Sequence, residues 1–336
     1  MEEKILQQFH QSISDHRNLL QKWINSDKAR VSPVIGDASV KEVLDVITEL
    51  KQLLEQIDKN EFGKCNVCHA DVEEERLEQD YTTNVCLDCY SEEELRALER
   101  DLELAAKVQQ QLLPACAPVM DSVEIAVRNQ SASVVGGDYY DFFILKNGHQ
   151  GIAIGDVMGK GLPASMLMSN LQASLRILAP DYDQLHQLTA RLNRLFRYNL
   201  KLIKFISLFL AAIDTKTRQF FYCNAGHHSP LWWKAINRSV HWLKPTAPAI
   251  GLIPDSRFIS KTIQPEPDDI ILLYTDGLIE ARAPDGEEYG ERRMTTFIQK
   301  NNHQSAERIL QDLWEDVIAF AGKFSDDITA MMIKFL

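Results

Sequence analysis

The chain has 336 residues, 45% of them hydrophobic, and a formal net charge of -12, so it holds enough material for two domains and at least one large core. The charge argues against bulk electrostatic attraction to nucleic acid or an anionic membrane surface, and suits acidic sites that await a cation. No run approaches the ~18 apolar residues of a membrane span, and MEEKILQQFHQSISDHR at the start lacks the apolar centre of a signal peptide; the sequence predicts a cytoplasmic protein.

Residues 4–24 place Ile5, Phe9, Ile13, Leu20, Trp23 and Ile24 mostly on one helical face. The breaker SPVIGDAS follows, with Asp37 or Ser39 as a candidate cap, and Val43, Val46, Ile47, Leu50, Leu53, Leu54 and Ile57 then repeat at three-and-four spacing. Two apolar stripes joined by a short breaker predict an antiparallel helical hairpin over residues 1–60. Residues 61–91 carry Cys65, Cys68, Cys86 and Cys89 as C-x2-C, seventeen residues, C-x2-C. In a reducing compartment this spacing points to one structural Zn²⁺ held by four thiolates rather than to disulfides. His69 is a spare ligand, and Cys116 and Cys223 stand alone.

Residues 92–113 predict a linker helix. Ser91 with Glu94 forms a capping box, and Pro114 ends the helix. Leu95, Leu98, Leu102, Ala105, Gln109 and Leu112 form a coiled-coil seam with one polar position, Gln109. The helix either packs on its own domain or serves as a dimerising connector, which makes a homodimer through residues 92–113 an expectation. From residue 122 the pattern becomes VEIAVRNQ, YYDFFIL and QGIAIGDV, then two helices over PASMLMSNLQASLRILA and YDQLHQLTARLNRLFRYNL. Strands resume at ISLFLAAID, QFFYCNAG, PLWWK, VHWLK, FISKTIQ and DDIILLYTD, and the helix AERILQDLWEDVIAFA leads into DITAMMIKF. Strands, a helix pair and strands again predict an α+β domain over 114–336 with mainly antiparallel sheets.

Acids recur where these strands meet turns. Asp138 and Asp141 stand in SVVGGDYYDFF, Asp156 in IAIGDVMGKG, Asp276 in IILLYTDGLIEA, and Asp326 with Asp327 in KFSDDITAMMI. Each alone reads as a turn or a cap. Together, converging strand ends would place repelling carboxylates in one cleft, where they need protons or cations. Oxygen donors of this kind suit Mg²⁺ or Mn²⁺, and two such ions ~3.5–4 Å apart can activate water and hold a phosphoryl group.

GGDYYDF, GDVMGKGLPASMLM, NAGHHSPLW, YTDGLIEA and SDDITAMMI, in this order, resemble the PPM metal-dependent protein phosphatases of the SpoIIE/RsbU branch, and AAKVQQQLLP resembles the helix that enters that domain. The resemblance covers residues 105–336. It implies a β-sandwich flanked by pairs of antiparallel helices, with two Mn²⁺ or Mg²⁺ ions at one end. Mapped by motif, it implies that Asp138 binds one metal and Asp156 bridges both with help from the Val157 carbonyl, while Asp276 and Asp326 hold the second. Asp327 stands where relatives often carry Asn or Asp and is counted with the metal set, its role less defined than that of the other four, as is the role of Asp141. The implied reaction is in-line attack of water on phosphoserine or phosphothreonine without a phosphoenzyme. The implied substrate is a phosphorylated STAS-type anti-anti-sigma factor in a partner-switching pathway. GKG replaces the frequent GHG, so Lys160 either approaches phosphate or is a solvated loop lysine. Phosphate could also meet the amides of Gly161–Ala164 at a helix start. His227 reads as a packing or turn residue.

Residues 50–90 resemble the DksA/TraR-type zinc finger, including its lead-in helix. That family contacts RNA polymerase through a helical hairpin, which gives the alternative reading of a transcription-associated regulator; NSDKARVSPVIGDAS shows no acidic tip motif. A degenerate scaffold has no use for a costly cluster of acids, and GGDYY shares only its first letters with the GGDEF of diguanylate cyclases. The sequence therefore predicts a phosphatase regulated by a zinc-finger module, with no direct nucleic-acid or membrane partner.

Overall fold

The computed structural model describes residues 3–25, 37–79, 81, 83–199, 205–253, 255–322, 324 and 326–336. They divide into two compact units, one reaching to Arg100 and the other comprising Asp101–Arg197 and Phe205–Leu336.

The first unit opens with α1 (Glu3–Ile24) and α2 (Asp37–Asp58), which pack against each other. Phe9 and Ile13 of α1 meet Leu50, Leu53, Leu54 and Ile57 of α2 in one buried cluster, as the apolar stripes require. The backbone of Asp37 and Ser39, the expected caps, already belongs to α2; their side chains and that of Trp23 lie outside the described residues. After α2 come a short α3 (Glu74–Gln79) and α4 (Glu92–Leu112). The capping box at α4 forms in both directions: Glu94 N–H donates to Ser91 Oγ at 3.3 Å and Ser91 N–H to Glu94 Oε2 at 2.8 Å. The division between units falls inside α4, after Arg100.

The second unit contains two antiparallel sheets among the described residues. One runs β1 (Val123–Gln130), β10 (Ile328–Phe335), β9 (Ile270–Tyr274), β6 (Leu231–Lys234), β7 (Ser239–Trp242). The other runs β2 (Tyr139–Ile144), β3 (Gln150–Val157), β4 (Ile206–Ile213), β5 (Phe220–Ala225), β8 (Lys261–Ile263). Helix α5 (Gly161–Leu178) packs on β2 and β3 and is followed by α6 (Leu185–Asn199); α7 (Asp276–Ile279) and α8 (Gly290–Asn301) lead to α9 (Ala306–Ala321), which packs on β1 and β10. This is the expected α+β class, with helices on antiparallel sheets.

The two-residue period of each strand divides its side chains between two cores. Ile152 and Ile154 of β3, Phe209 and Ala211 of β4, Ile271 and Leu273 of β9, and Met331 and Ile333 of β10 form the layer between the sheets. Leu272, Tyr274, Ala330 and Met332 face the other way, onto Leu310, Leu313 and Val317 of α9. Strands covered on both faces read as continuous apolar runs, which is why β9 and β10 stand out in the sequence. Helix α8 did not stand out: Met294 and Ile298 are its buried residues in a polar sequence, too sparse a stripe to signal a helix.

Candidate active site

At one end of the sandwich the inward-facing positions turn polar while the period continues. Asp156 follows Ile154 in β3 and pairs across the ladder with Ser207 of β4. Thr275 comes next after Leu273, Thr329 precedes Met331, and Thr329 pairs with Asn129 of β1. Asp138 lies just ahead of β2, where it is buried to 3% exposure and accepts hydrogen bonds at Oδ2 from Thr275 Oγ1 (2.8 Å) and Thr329 Oγ1 (2.6 Å). A loop aspartate of one sheet is thus tied to two strand ends of the other.

The glycines before Asp138 permit a close approach. A Cβ on Gly137 would lie 2.8 Å from the Val157 carbonyl oxygen and 3.5 Å from Asp156 Oδ1. The loop carrying Asp138 therefore sits directly on the end of β3, and these three predicted site residues meet. Gly136 is held from the other side by Gln109, whose Nε2 donates to the Gly136 carbonyl (2.6 Å) and whose Oε1 accepts the Gly136 N–H (3.1 Å). Gln109 is the buried residue of α4, so the polar position of the seam is occupied by a contact within the second unit.

Asp276 starts α7 and accepts the Gly277 N–H at Oδ1 (2.9 Å). Asp326 accepts the Asp327 N–H at Oδ1 (2.9 Å), and its Oδ2 lies 3.3 Å from Lys160 Nζ in a partly exposed pair. Lys160 thus faces a carboxylate. Asp327 has both oxygens engaged by backbone amides, Oδ1 by Ala132 (2.8 Å) and Oδ2 by Gly137 (2.7 Å). It clamps the glycine loop to the start of β10, an arrangement its reading as a metal ligand did not foresee. Asp141, three places after Asp138, is fully buried and forms a fork with Arg176 of α5 at 2.8 and 3.0 Å, while Tyr139 Oη donates to it at 2.8 Å. That acid anchors a helix to a strand.

The carboxylates at this end share one electrostatic field. Burial pushes Asp156 up to about 8, and the charges of Asp276, Asp326 and Asp327 add to the rise against Lys160. Asp138 is raised well above the carboxylate range, first by burial and then by Asp156. Burial also raises Asp276, with His228 opposing and Asp326 adding. Acids that raise one another's pKa, with a backbone carbonyl beside them, are the donor type hard divalent cations take, although among the described residues only the four thiols bring three or more donor atoms within 4.8 Å of one another. His228 belongs to this setting, its ring 6.1 Å from that of Tyr274. His227 is buried with Nδ1 2.8 Å from Ser207 Oγ, and burial lowers its pKa to about 3. Sequence reading missed Gln109 as a loop clamp, Thr275, Thr329 and His228. The two threonines had one available signal, their place in the inward period beside the acids.

In the first unit Cys65, Cys68, Cys86 and Cys89 bring their sulfurs within 4.8 Å of one another. The sulfurs of Cys65 and Cys89, Cys68 and Cys86, and Cys86 and Cys89 lie 3.6, 3.4 and 3.5 Å apart, and all four cysteines are free of disulfides. A tetrahedron with Zn–S of ~2.3 Å has edges of roughly 3.8 Å, so the cluster needs only slight expansion to hold one Zn²⁺. The amides of Val67 and Cys86 donate to Cys65 Sγ at 3.4 and 3.3 Å, and backbone amides, that of Cys68 first, lower its thiol to about 6. His69 is exposed in a left-handed turn and stands outside the sulfur cluster.

Two antiparallel sheets flanked by helices define the architecture of PP2C-type serine/threonine protein phosphatases. The SiaA-PP2C domain of Pseudomonas aeruginosa superposes with a TM-score of 0.63 at 20% identity, covering 72% of this chain and 98% of that one. The RsbU and RsbW domains of Rv1364c from Mycobacterium tuberculosis give 0.57 at 24% identity, covering 67% and 63%. Residues 146–336 match the family model "Stage II sporulation protein E (SpoIIE)", and the chain belongs to that family. Phosphoserine phosphatase RsbU of Bacillus subtilis is 27% identical over 239 residues, 70% of each chain. Phosphoserine phosphatase RsbP of the same organism is 30% identical over 190 residues, 55% of this chain and 46% of that protein. The DksA-like reading of the first unit has no matching family model behind it; what stands is the four-thiol cluster.

Proposed function

We propose that the second unit hydrolyses phosphoserine or phosphothreonine on a protein substrate, using Asp138, Asp156, Asp276 and Asp326 as the acidic set. The observation that carries this reading is the seating of the Asp138 loop on Asp156 and the Val157 carbonyl, at the end of the sandwich where Asp276 and Asp326 act on the same field. Mn²⁺ or Mg²⁺ bound there would supply a Lewis acid toward phosphoryl oxygen and a water acidic enough to attack at neutral pH.

The chain's own residues do the rest. Asp138 and Asp156, with the Val157 carbonyl, would hold one cation, and Asp156, Asp276 and Asp326 the second; Asp327 keeps the glycine loop in place. Amides at the start of α5, where Lys160 offers no side-chain cap, would receive phosphate oxygens. Lys160, paired with Asp326, would release it as phosphate charge arrives. His227, kept neutral by burial, would support Ser207 rather than move a proton.

A phosphorylated STAS-type anti-anti-sigma factor is the substrate class we favour, because two relatives are named phosphoserine phosphatases of the Rsb series. The four thiols would hold one structural Zn²⁺, and the first unit would regulate the second, with dimerisation through α4 as one route. RNA polymerase contact has support only from resemblance, and the hairpin tip lies outside the described residues.

The test is Mn²⁺-dependent hydrolysis of a phosphate ester by the wild type, Asp156→Asn and Asp276→Asn. We expect activity that needs metal and falls by about a thousandfold or more in both variants, on the order of 4 kcal/mol in the barrier. Full activity in Asp156→Asn would remove the acidic set from the reaction.

A further inference from the structure

Asp138 has unequal oxygens. Oδ2 accepts Thr275 Oγ1–H and Thr329 Oγ1–H at 2.8 and 2.6 Å, whereas no hydrogen bond to Oδ1 is made among the described residues. The direction of these bonds is fixed from behind. Thr275 Oγ1 accepts the Thr329 N–H (2.9 Å), and Thr329 Oγ1 accepts Asn129 Nδ2–H (2.7 Å). Each hydroxyl has a donor pointing at its oxygen and one proton of its own to place, and that proton is on the line to Asp138. Thr275 and Thr329 are both fully buried, so no water competes for the role.

The two threonines also sit next to the other acids. Thr275 immediately precedes Asp276, and Thr329 lies three residues after Asp326, on the strand ends of the sheet opposite Asp138. We propose that Thr275 and Thr329 are positioning residues: their hydroxyls hold Oδ2 of Asp138, leave Oδ1 as the oxygen offered to a cation, and lock the two acidic pairs from opposite sheets into one site. The inference rests on the metal-dependent reading above. A carboxylate so tethered can neither rotate nor become a two-oxygen ligand. Outer partners that orient a metal ligand typically change affinity by ~10–100-fold when removed.

The experiment is Mn²⁺ titration of the full chain, with free Mn²⁺ followed by electron paramagnetic resonance, for the wild type, Thr329→Val, Thr329→Ser and Thr275→Val. Metal-free melting temperatures serve as a control on folding. Both valine variants should weaken Mn²⁺ binding by about tenfold or more, while Thr329→Ser, which keeps the hydroxyl, should bind within roughly threefold of the wild type. Should Thr329→Val not fold, Thr275→Val decides. Wild-type Mn²⁺ affinity in the folded valine variants overturns the inference and leaves the phosphatase reading intact. A serine variant as weak as the valine variant overturns it too, because the lost feature would then be shape. A wild type that binds no Mn²⁺ brings down both.

Discussion

The two clusters of ligand-type side chains in this chain are built in opposite ways. The four thiols lie within 25 consecutive residues, on two turns that a short chain segment can close by itself. The acids come from four separated segments at strand ends of two sheets, and Thr275 and Thr329 tie Asp138, ahead of one sheet, to strand ends of the other. A local site forms whenever its own segment folds and finds its ion. A distributed site requires the whole sandwich to be in register. The first should therefore fail alone when its ion is withdrawn, and the second should respond to changes far from the acids.

The largest expected effect separates the two clusters. If the four thiols hold Zn²⁺ as proposed, its removal by a thiol-competitive chelator, or Cys65→Ser, should unfold the first unit, since a Zn²⁺ bound by four thiolates contributes on the order of 10 kcal/mol. The sandwich, whose core clusters share no residue with that cluster among the described residues, should keep its own melting transition. Calorimetry should show one transition lost and one retained, and loss of both would end the contrast.

Next in size is the pair that holds α5 to β2. Arg176→Met leaves Asp141 buried without its partner. We expect a loss of about 2–3 kcal/mol in unfolding free energy, less than for a fully buried pair because Arg176 is half exposed. Denaturant titration measures it, and an unchanged midpoint would make the fork dispensable.

Gln109→Ala tests whether α4 reaches the acids. It strips Gly136 of partners for both its N–H and its carbonyl, which costs about 1–3 kcal/mol. It should lower phosphatase activity by about tenfold, because the same loop carries Asp138. A seam role without a loop role would alter self-association and leave the activity of the monomer unchanged.

The pH response of the acidic end has a definite sign. Asp156 and Asp138 are raised in the folded protein, so the native state binds more protons than the unfolded chain above the ordinary aspartate value of ~3.9. Without metal, these acids take stability away as pH rises from about 4 toward about 8, the value of Asp156. His227, lowered to about 3, adds stability over the range up to its ordinary value of ~6.5, so the net fall is clearest between about pH 6.5 and pH 8. Saturating Mn²⁺ should abolish the fall, and Asp156→Asn should reduce it; thermal melts at pH 6.5 and pH 8 read both. Smallest of all, Lys160→Ala should change stability by no more than about 0.5 kcal/mol, as expected for an exposed pair. A larger loss would make Lys160 part of the site's architecture.

The sequence by itself determined the class and the parts. Continuous apolar runs set β3, β9 and β10, the three-and-four stripes set α1 and α2, Ser91 and Glu94 set the start of α4, and acids at strand ends marked the site. Those signals are local, because burial and capping act on residues close in the chain. What only the tertiary structure decided was the partner of each side chain. Asp138 and Asp141 look equivalent in GGDYYDFF, yet one joins the acidic end and the other binds Arg176 35 residues away. Gln109 reads as a seam residue until Gly136 lies against it, and Thr275 and Thr329 read as ordinary strand threonines until the opposite sheet brings a carboxylate to their hydroxyls. A hydroxyl or amide follows whichever acceptor the packing delivers, and packing across a sandwich joins Asp138 to a residue 191 positions away, beyond the reach of any local pattern.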